Sequence, residues 1–370
     1  MRIALVTGLH GSARQEAVND LLAAVPRAIA VHHDMRDIGE GAVHRVVRDR
    51  SSPAESEQVD LDHVCASCTL REDLIPFLLR AAAGGRHDLC VVESWDGVEP
   101  RSIAESIAEQ EELRLATVAT AVDVDRLTTD LGCHDDLSDR RLDIAQDDTR
   151  TVAEVLGRQI EYPNVIVLRG ARTARTHRQA QALIRQLNPA AAIAGSGTDL
   201  RDFLDAEFDP RAAHARTNPA WAQYAGHPEE LGVITTAWTR TRPFHPERLA
   251  EALERIVGMI LRGRGRFWLA SQPDVLLVWD SHQDLLMVEN GGPWMAALPD
   301  AAMDLVAPAR RASALLDWNP RVGDRRQHLA FTGIGMDTGA LLSLLESCLV
   351  TADEADQEFL NDPFAEFSER

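Results

Sequence analysis

The sequence predicts an α/β fold, with a doubly wound parallel sheet in the first half of the chain and a smaller α+β domain after it. Over roughly the first 200 residues, short apolar runs rich in Val, Ile and Leu alternate with helix-like stretches. This pattern is typical of parallel strands buried on both faces and joined by helices. From residue 232 onward, strand-like runs follow one another closely, which indicates antiparallel pairing.

The elements of the first half are predicted in strict alternation. The strands span residues 3–7, 28–32, 88–93, 114–121 and 164–168. The helices span residues 14–24, 70–83, 100–112, 150–161 and 176–187. In a sheet of this kind, ligands bind at the carboxyl ends of the strands, so the loops that follow the strands are where a site is expected.

The second half is predicted to form a separate domain. Its elements are a strand at 232–244, a helix at 245–258, strands at 266–272, 275–281, 285–292 and 325–335, and a closing helix at 338–350. The Pro- and Ala-rich stretch 206–231 is typical of a linker, and the charged stretch 134–150 of a surface loop or solvated helix. We therefore expect a first domain over 1–205, the linker, a second domain over 232–350 and an acidic tail over 351–370.

Composition narrows the range of functions. The 370 residues carry a net charge of −20, and all 38 basic residues are Arg because the chain contains no Lys. Such an acidic chain is unsuited to nonspecific nucleic-acid binding, which needs positive charge to displace counterions. No apolar run approaches the roughly 20 residues of a membrane helix, and we expect a cytoplasmic protein. The five Cys are an odd number, which argues against a disulfide framework.

The stretch GLHGSARQ (8–15) lies between the first predicted strand and helix, which is the layout of a phosphate-binding P-loop. The pattern G-x-x-x-x-G-K-[ST] requires a Lys and a hydroxyl residue where this chain has Arg14 and Gln15. Arg is too bulky to act as the loop Lys does, and Gln offers Mg²⁺ no hydroxyl ligand. The alternative is an ordinary strand-to-helix turn. The residues of this degenerate nucleotide site are Gly8, Gly11, Ser12, Arg14 and Gln15.

Cys65 and Cys68, in the stretch HVCASCTLREDL (63–74), have the C-x₂-C spacing that lets two thiolates chelate one Zn²⁺. Two ligands do not complete a site, and the alternatives are two semi-buried thiols or a redox pair. We predict a metal site on these two Cys, joined by His63, His33 or Glu40. Other donors come from neighbouring loops: His32, Asp34, Asp37, Cys133 and His134.

Glu93 is the one candidate for a catalytic position. An apolar strand delivers it to the carboxyl end of the sheet, where a switch carboxylate can orient water or Mg²⁺. The alternative is an ordinary polar end of a strand.

Together, these motifs resemble the CobW-type GTPases, a family of zinc metallochaperones and cobalamin-pathway cobalt factors. The family motif C-x-C-C-T-L-R-E-D-L matches residues 65–74 with Ser67 in place of the middle Cys, and E-T-S-G-x-x-x-P matches 93–100 with Asp96 in place of Gly. The guanine-reading N-K-x-D corresponds to RGAR (169–172). The second half matches closely at RPFHPERLAEALE (242–254), RGRGRFWLASQPDVLLVWDS (262–281) and FTGIGMD (331–337).

The resemblance implies a P-loop GTPase-like sheet followed by a CobW C-terminal domain, with zinc, GTP and Mg²⁺ as family ligands. The departures put the nucleotide in doubt, because the P-loop Lys and hydroxyl, the switch Gly and the base-reading residues are all replaced. We therefore predict a pseudo-GTPase that retains zinc, with an affinity lowered by Ser67, which cannot act as a soft ligand.

The expected function is that of a zinc metallochaperone or sensor in zinc homeostasis, with lost or very weak GTP binding and hydrolysis. One alternative is a non-enzymatic adaptor that recruits a ribosome-hibernation or ribosomal protein, as the resemblance to an actinobacterial zinc-starvation branch implies. Another is an unorthodox active GTPase. The expected partner is a protein, either a zinc client or a ribosome-associated factor, and neither nucleic acid nor membrane.

Overall fold

The chain forms two compact units, Met1–Thr217 and Asn218–Arg370. The computed structural model describes the chain except for residues 52–53, 64, 146, 196–199, 222–226, 304, 307, 355–356, 358, 360 and 368–370, and the side chains of 39, 308 and 309. In the described part of the chain, no helix is long and apolar enough to cross a membrane.

The first unit is an eight-stranded sheet with helices on both faces. Its strands are β1 (Arg2–Thr7), β2 (Ala28–Asp34), β3 (His44–Arg48), β4 (Glu55–Gln58), β5 (Leu89–Glu93), β6 (Arg114–Asp123), β7 (Val165–Arg169) and β8 (Ala192–Ala194). Its helices are α1 (Gly11–Ala24), α2 (Ala66–Cys68), α3 (Ile75–Ala83), α4 (Pro100–Ala108), α5 (Val124–Leu131), α6 (Val152–Glu161), α7 (Ala174–Leu187) and α8 (Pro210–Thr217). A π-helical turn, Thr69–Leu74, joins α2 to α3.

The strand order is β4-β3-β2-β5-β1-β6-β7-β8, with β1 near the centre. Along this spatial order, each neighbouring pair from β2 through β5, β1, β6 and β7 to β8 is parallel. β3 and β4 are antiparallel additions at the β2 edge. Side chains along β1 alternate between the two faces, because successive residues of a strand point to opposite sides. Ile3 and Leu5 join one core, and Ala4 and Val6 join the other.

The second unit is an antiparallel sheet with the strand order β12-β11-β10-β13-β9. Its strands are β9 (Val233–Arg240), β10 (Arg262–Phe267), β11 (Val275–His282), β12 (Leu285–Pro293) and β13 (Gln327–Ile334). Its helices are α9 (Pro246–Val257), α10 (Asp300–Met303), α11 (Pro308–Asp317) and α12 (Thr338–Ser347). The predicted fold class, a doubly wound sheet followed by a smaller α+β domain, is confirmed.

Strand β10 begins at Arg262, earlier than the predicted start at residue 266. The sequence RGRGRF is not typical of a buried strand, so its pattern did not indicate where the strand begins. Each of its residues is buried all the same. Arg262 pairs with Asp280 at 2.5 Å and Arg266 with Asp317 at 2.5 Å, so these guanidinium groups enter the interior with carboxylate partners. Gly263 leaves room for a neighbouring ring: a Cβ there would lie 2.8 Å from Trp279 Nε1.

Several residues of the predicted linker and of the acidic tail make specific contacts. Helix α8 falls within the stretch predicted as a linker, and Phe208 packs into the core of the first unit. In the acidic tail, Glu354 pairs with Arg248 at 2.7 Å and Phe364 is buried in the core of the second unit. The charged stretch 134–150 is mostly irregular, with one short turn at Ser138–Arg140.

Candidate metal centre

Three side chains of the kinds that bind metals meet in the segment between β4 and α3. The ligand atoms of His63, Cys65 and Cys68 all lie within 4.8 Å of one another. His63 is exposed, Cys65 is half-buried and Cys68 is buried, so the cluster lies at the surface with one side open.

The local fold places the two thiols together because Cys65 caps a helix. Its Sγ accepts a hydrogen bond from the backbone N–H of Cys68 at 3.4 Å. Thr69 closes the same turn, because its backbone N and Oγ1 both donate to the carbonyl of Cys65, at 3.0 and 2.9 Å. Burial opposes ionisation of Cys65, but the hydrogen bonds from Cys68 and His63 outweigh it and lower the pKa of Cys65 to about 7.

The π-helical turn anchors this cluster to the sheet. His33 Nε2 on β2 lies 2.7 Å from Asp73 Oδ2, and Arg45 on β3 pairs with the other carboxylate oxygen of Asp73. Glu72 accepts from the backbone N–H of Asp62 at 3.0 Å. π-helical turns are rare and recur at functional sites. The acidic residues of the turn thus hold the Cys-bearing helix in place.

The other predicted metal ligands lie elsewhere. His33 is buried and engaged with Asp73, which makes it a support for the cluster. Glu40 is exposed, and neither residue joins a group of three or more donors in the described ranges. Cys133 donates from Sγ to the carbonyl of Asp130 at 3.2 Å. Of the additional donors considered from sequence, the structure brings His63 to the two Cys.

The P-loop keeps its strand–turn–helix path, in which β1 ends at Thr7 and α1 begins at Gly11. Gly8 has a φ of +138°, and a Cβ there would lie 2.3 Å from the carbonyl oxygen of Ala121. Only Gly fits at this position, since both its conformation and its contact exclude a side chain. The tight turn of a P-loop is thus present at this position.

Arg14 is buried against the loop. Its Nη1 donates to the carbonyl of Gly8 at 2.6 Å and also contacts Asp96, while its Nε donates to Glu93 Oε1 at 3.3 Å. Arg48 lies 3.2 Å from the other oxygen of Glu93. Glu93 ends β5 as predicted, and both of its carboxylate oxygens are engaged by Arg side chains.

Asp96 lies at the start of α1, where a P-loop binds phosphate. A Cβ on Gly11 would lie 3.6 Å from Asp96 Oδ1. A helix N-terminus attracts anions through its unpaired N–H groups and its dipole, and here the chain's own carboxylate is beside it. Ser12 and Gln15, the remaining residues of the predicted nucleotide site, are exposed.

The segment RGAR (169–172) begins at Arg169, the last residue of β7. Arg169 is buried, pairs with Asp20 on α1, and lies 3.5 Å from the carbonyl of Gly195. Asp125 accepts hydrogen bonds from the backbone N–H groups of Ala171 and Arg172, at 3.2 and 3.0 Å. In this segment the side chain of Arg169 and the backbone of Ala171 and Arg172 therefore make internal contacts.

A cavity of about 290 Å³ lies between the Cys segment and the end of β5. Ser67 and Thr69 line one side, and Glu93, Trp95 and Ile103 line another. Ser67 occupies the position of the family's middle Cys, so the altered metal motif and the altered switch element border the same space.

Sequence reasoning missed the residues that support the site. Asp73 lies within the TLREDL run, but its partners are 28 and 40 residues away. The contact between Arg14 and Asp96 spans 82 residues. No local spacing signals such pairs, although the joint replacement of a P-loop Lys by Arg and a switch Gly by Asp is a hint.

Comparisons with known proteins agree with this architecture. Residues 233–349 match the model of the "Cobalamin synthesis protein cobW C-terminal domain". A Mycobacterium tuberculosis protein named "Zinc chaperone Rv0106" is 31% identical over 319 residues, which cover 80% of this chain and 76% of the relative. The chain belongs to the CobW family.

Two further comparisons cover more of the length of this CobW protein. The "Zinc-regulated GTPase metalloprotein activator 1" of Dictyostelium discoideum is 25% identical over 388 residues, covering 95% of this chain and 80% of the relative. The solved structure of Zn(II)-bound YjiA GTPase from E. coli is 12% identical with a TM-score of 0.38, covering 95% of this chain and 99% of that one. The predicted CobW resemblance is confirmed.

Proposed function

We propose that this CobW protein binds zinc through His63, Cys65 and Cys68 and serves zinc homeostasis as a metallochaperone or sensor. The observation that carries the proposal is the meeting of the three ligand atoms within 4.8 Å. Two thiolates and an imidazole are a donor set that Zn²⁺ favours. The relatives named as a zinc chaperone and a zinc-regulated activator support the same assignment.

Three protein ligands suit a protein that passes its metal on. Zinc is usually four-coordinate, and sites with three protein ligands leave one position for water or another molecule. His63 is the exposed member of the cluster, and it lies on the side from which a client protein can approach. Zinc is the cargo in this account, and the client supplies the ligand that completes the exchange.

The GTP·Mg²⁺ function of the family is, in this proposal, lost or very weak. Phosphate would have to displace Asp96 from the start of α1 and compete with two carboxylates for Arg14. Gln15 provides no hydroxyl for Mg²⁺, and Arg169 replaces the Asn that opens the base-reading motif. Repulsion between phosphate and Asp96, neutralisation of Arg14 by carboxylates, and the missing ligands for Mg²⁺ and the base all weaken nucleotide binding.

Zinc competition against a chromophoric chelator tests the metal site. We expect one zinc per chain, and we expect Cys65→Ser, Cys68→Ser and His63→Ala each to weaken binding by about tenfold or more. Cys133→Ser is the matched control, since that thiol is also half-buried and lies outside the cluster. Unchanged affinity in both cluster Cys variants would place the site elsewhere.

Isothermal titration with GTP·Mg²⁺, combined with a phosphate-release assay, tests the nucleotide part separately. We expect neither binding in the micromolar range nor turnover. Micromolar binding with turnover would establish an active GTPase and would leave the zinc assignment standing.

A further inference from the structure

The cavity of about 290 Å³ beside the Cys segment lies at the carboxyl ends of β2 and β5. Its lining is mostly apolar and includes Leu74, Val98 and Ile103, which also belong to the core on one face of the sheet. A doubly wound sheet binds its ligands at the carboxyl ends of its strands, and pockets for small molecules are mainly apolar. Ser67 and Ser102 are exposed members of the lining, so one side of the cavity is open to solvent.

Two hydrogen-bond donors in the lining of this cavity are buried without a partner. Ser94 and Trp95 are only 4 and 8% exposed, and both line the cavity. Ser94 Oγ and Trp95 Nε1 have no hydrogen-bond partner in the described part of the chain. A buried donor without an acceptor costs free energy, and nearly all such groups in folded proteins are satisfied. An acceptor from outside the chain therefore fits this cavity.

The contacts around Ser94 and Trp95 hold the two donors in place. The backbone N–H of Ser94 donates to a carbonyl of β1 at 3.0 Å, and the ring of Trp95 packs against the ring of His32 with 5.9 Å between the centroids. Gln159 Nε2 donates to two backbone carbonyls of residues 96–98, at 2.8 and 3.0 Å. Because the donors are positioned in advance, a ligand loses little affinity to the ordering of its site.

Every titratable side chain in the lining already has a partner of opposite charge or a hydrogen-bond partner. The pairs are His33 with Asp73, Glu93 with Arg14 and Arg48, Glu99 with Arg150 and Arg158, Arg150 with Asp148, and Arg101 with Glu105. A charged ligand would leave water without gaining a free counter-charge, which is costly in an apolar cavity. The lining therefore favours a neutral molecule.

We propose that this cavity binds a small neutral molecule that has an apolar body and a carbonyl oxygen. The oxygen accepts from the indole N–H of Trp95 and, with its second lone pair, from the hydroxyl of Ser94. The apolar body packs on Val98 and Ile103. At roughly 30 Å³ for each water-sized group, the cavity holds about ten non-hydrogen atoms. The inference goes beyond zinc and nucleotide binding and rests on neither.

Ligand-observed fluorine NMR with the full-length protein tests the proposal with three probes of similar size. The first, para-fluoroacetophenone, carries the carbonyl, para-fluoroethylbenzene lacks it, and para-fluorobenzoate has a carboxylate instead. We expect saturable binding of para-fluoroacetophenone with a Kd on the order of 1 mM, the range that about ten atoms support. We expect the other two probes to bind about tenfold more weakly, because one offers no acceptor and the other brings an unpaired charge.

Two variants locate the binding. Trp95→Phe removes the indole donor and keeps an aromatic ring, and Ser94→Ala removes the hydroxyl. We expect each to weaken the binding of para-fluoroacetophenone about fivefold and to leave that of para-fluoroethylbenzene within about twofold. Trp318→Phe and Ser138→Ala, at exposed positions outside the cavity, are the matched controls and keep full binding.

Three results would overturn the proposal: no saturable binding of para-fluoroacetophenone, equal affinity for the three probes, or undiminished binding to both variants. The first of these would leave the two donors to water. Near-ultraviolet circular dichroism verifies that each variant is folded, and Ser94→Ala maintains the test if Trp95→Phe does not fold. Zinc affinity is measured on the same samples, so a failure here is distinguishable from a failure of the zinc assignment.

Discussion

Arg14 on α1 donates from Nε to Glu93 Oε1 at the end of β5, at 3.3 Å. The same guanidinium contacts Asp96 and the carbonyl of Gly8, so it joins the P-loop to the strand end and to the segment after it. Arg14 and Glu93 are both buried. Buried charges persist when paired, and here each member of the network has an opposite charge beside it.

If the contacts among Arg14, Glu93 and Asp96 take the place of a bound nucleotide, then substitutions that bring back the family residues are expected to restore nucleotide binding. Arg14→Lys/Gln15→Thr/Asp96→Gly returns the loop cation, the Mg²⁺ ligand and the switch Gly together. We expect titration with GTP·Mg²⁺ to show about tenfold or greater tightening relative to the wild type, because the carboxylate at the start of α1 is gone. Arg14→Lys alone leaves Asp96 in place and is expected to have little effect. Equal weakness of the triple variant would contradict the account.

We expect His33 to support the proposed zinc cluster through Asp73 without being a ligand. His33→Ala removes the buried partner of Asp73, which ties the π-helical turn to β2. We expect zinc affinity to fall by about tenfold, the range typical of supporting residues, with one zinc still bound. Chelator competition measures this, and His177→Ala, on helix α7, serves as the control. A loss of stoichiometry would instead make His33 a ligand.

Ser67→Cys restores the family's middle thiol. Ser67 is exposed between Cys65 and Cys68 in the sequence, and a thiolate there adds a soft donor where a hydroxyl is a poor one. We expect zinc affinity to rise by about tenfold or more under reducing conditions. Ser138→Cys, an exposed position far along the chain, controls for the mere addition of a thiol. Unaltered affinity would show that position 67 does not reach the metal.

We expect His328 to make the stability of the second unit sensitive to acid. Burial, followed by the charge of Arg266, lowers the pKa of His328 to about 4, whereas an unfolded His titrates near 6.5. Between these values the unfolded chain binds a proton that the folded unit does not. The free energy of unfolding therefore decreases as the pH falls from about 6.5 to 4.

Urea unfolding at pH 7.5 and 4.5 checks this dependence by tryptophan fluorescence, because six of the seven Trp lie in the second unit. We expect His328→Gln to lose about 1 to 2 kcal/mol less stability between the two pH values than the wild type. Parallel pH profiles of the two proteins would refute the role of His328.

Much of the fold could be predicted because the central strands of the first unit are continuous apolar runs. β3 and β4 were missed because their letters, HRVVR and ESEQ, are polar, as befits strands at an exposed edge. α10 and α11 were also missed. β10 was misplaced because Arg pairs with distant Asp residues inside the second unit, and such partners carry no local signal.

Only the part of the site whose residues are close together in the sequence could be predicted. Cys65 and Cys68 have a recognisable spacing, and His63 is two residues from the first. The choice of His63 over His33 depends on tertiary contacts, since His33 lies 40 residues from its partner Asp73. The position of Asp96 beside the P-loop likewise depends on how the segment after β5 returns to α1.

Zinc K-edge absorption spectroscopy of the zinc-loaded protein, prepared without nucleotide, tests the central claim most directly. The account predicts about two sulfur ligands near 2.3 Å and at least one nitrogen ligand near 2.0 Å, with the sulfur signal halved in Cys65→Ser. A spectrum with only nitrogen and oxygen ligands, or no bound zinc until GTP is added, would contradict it.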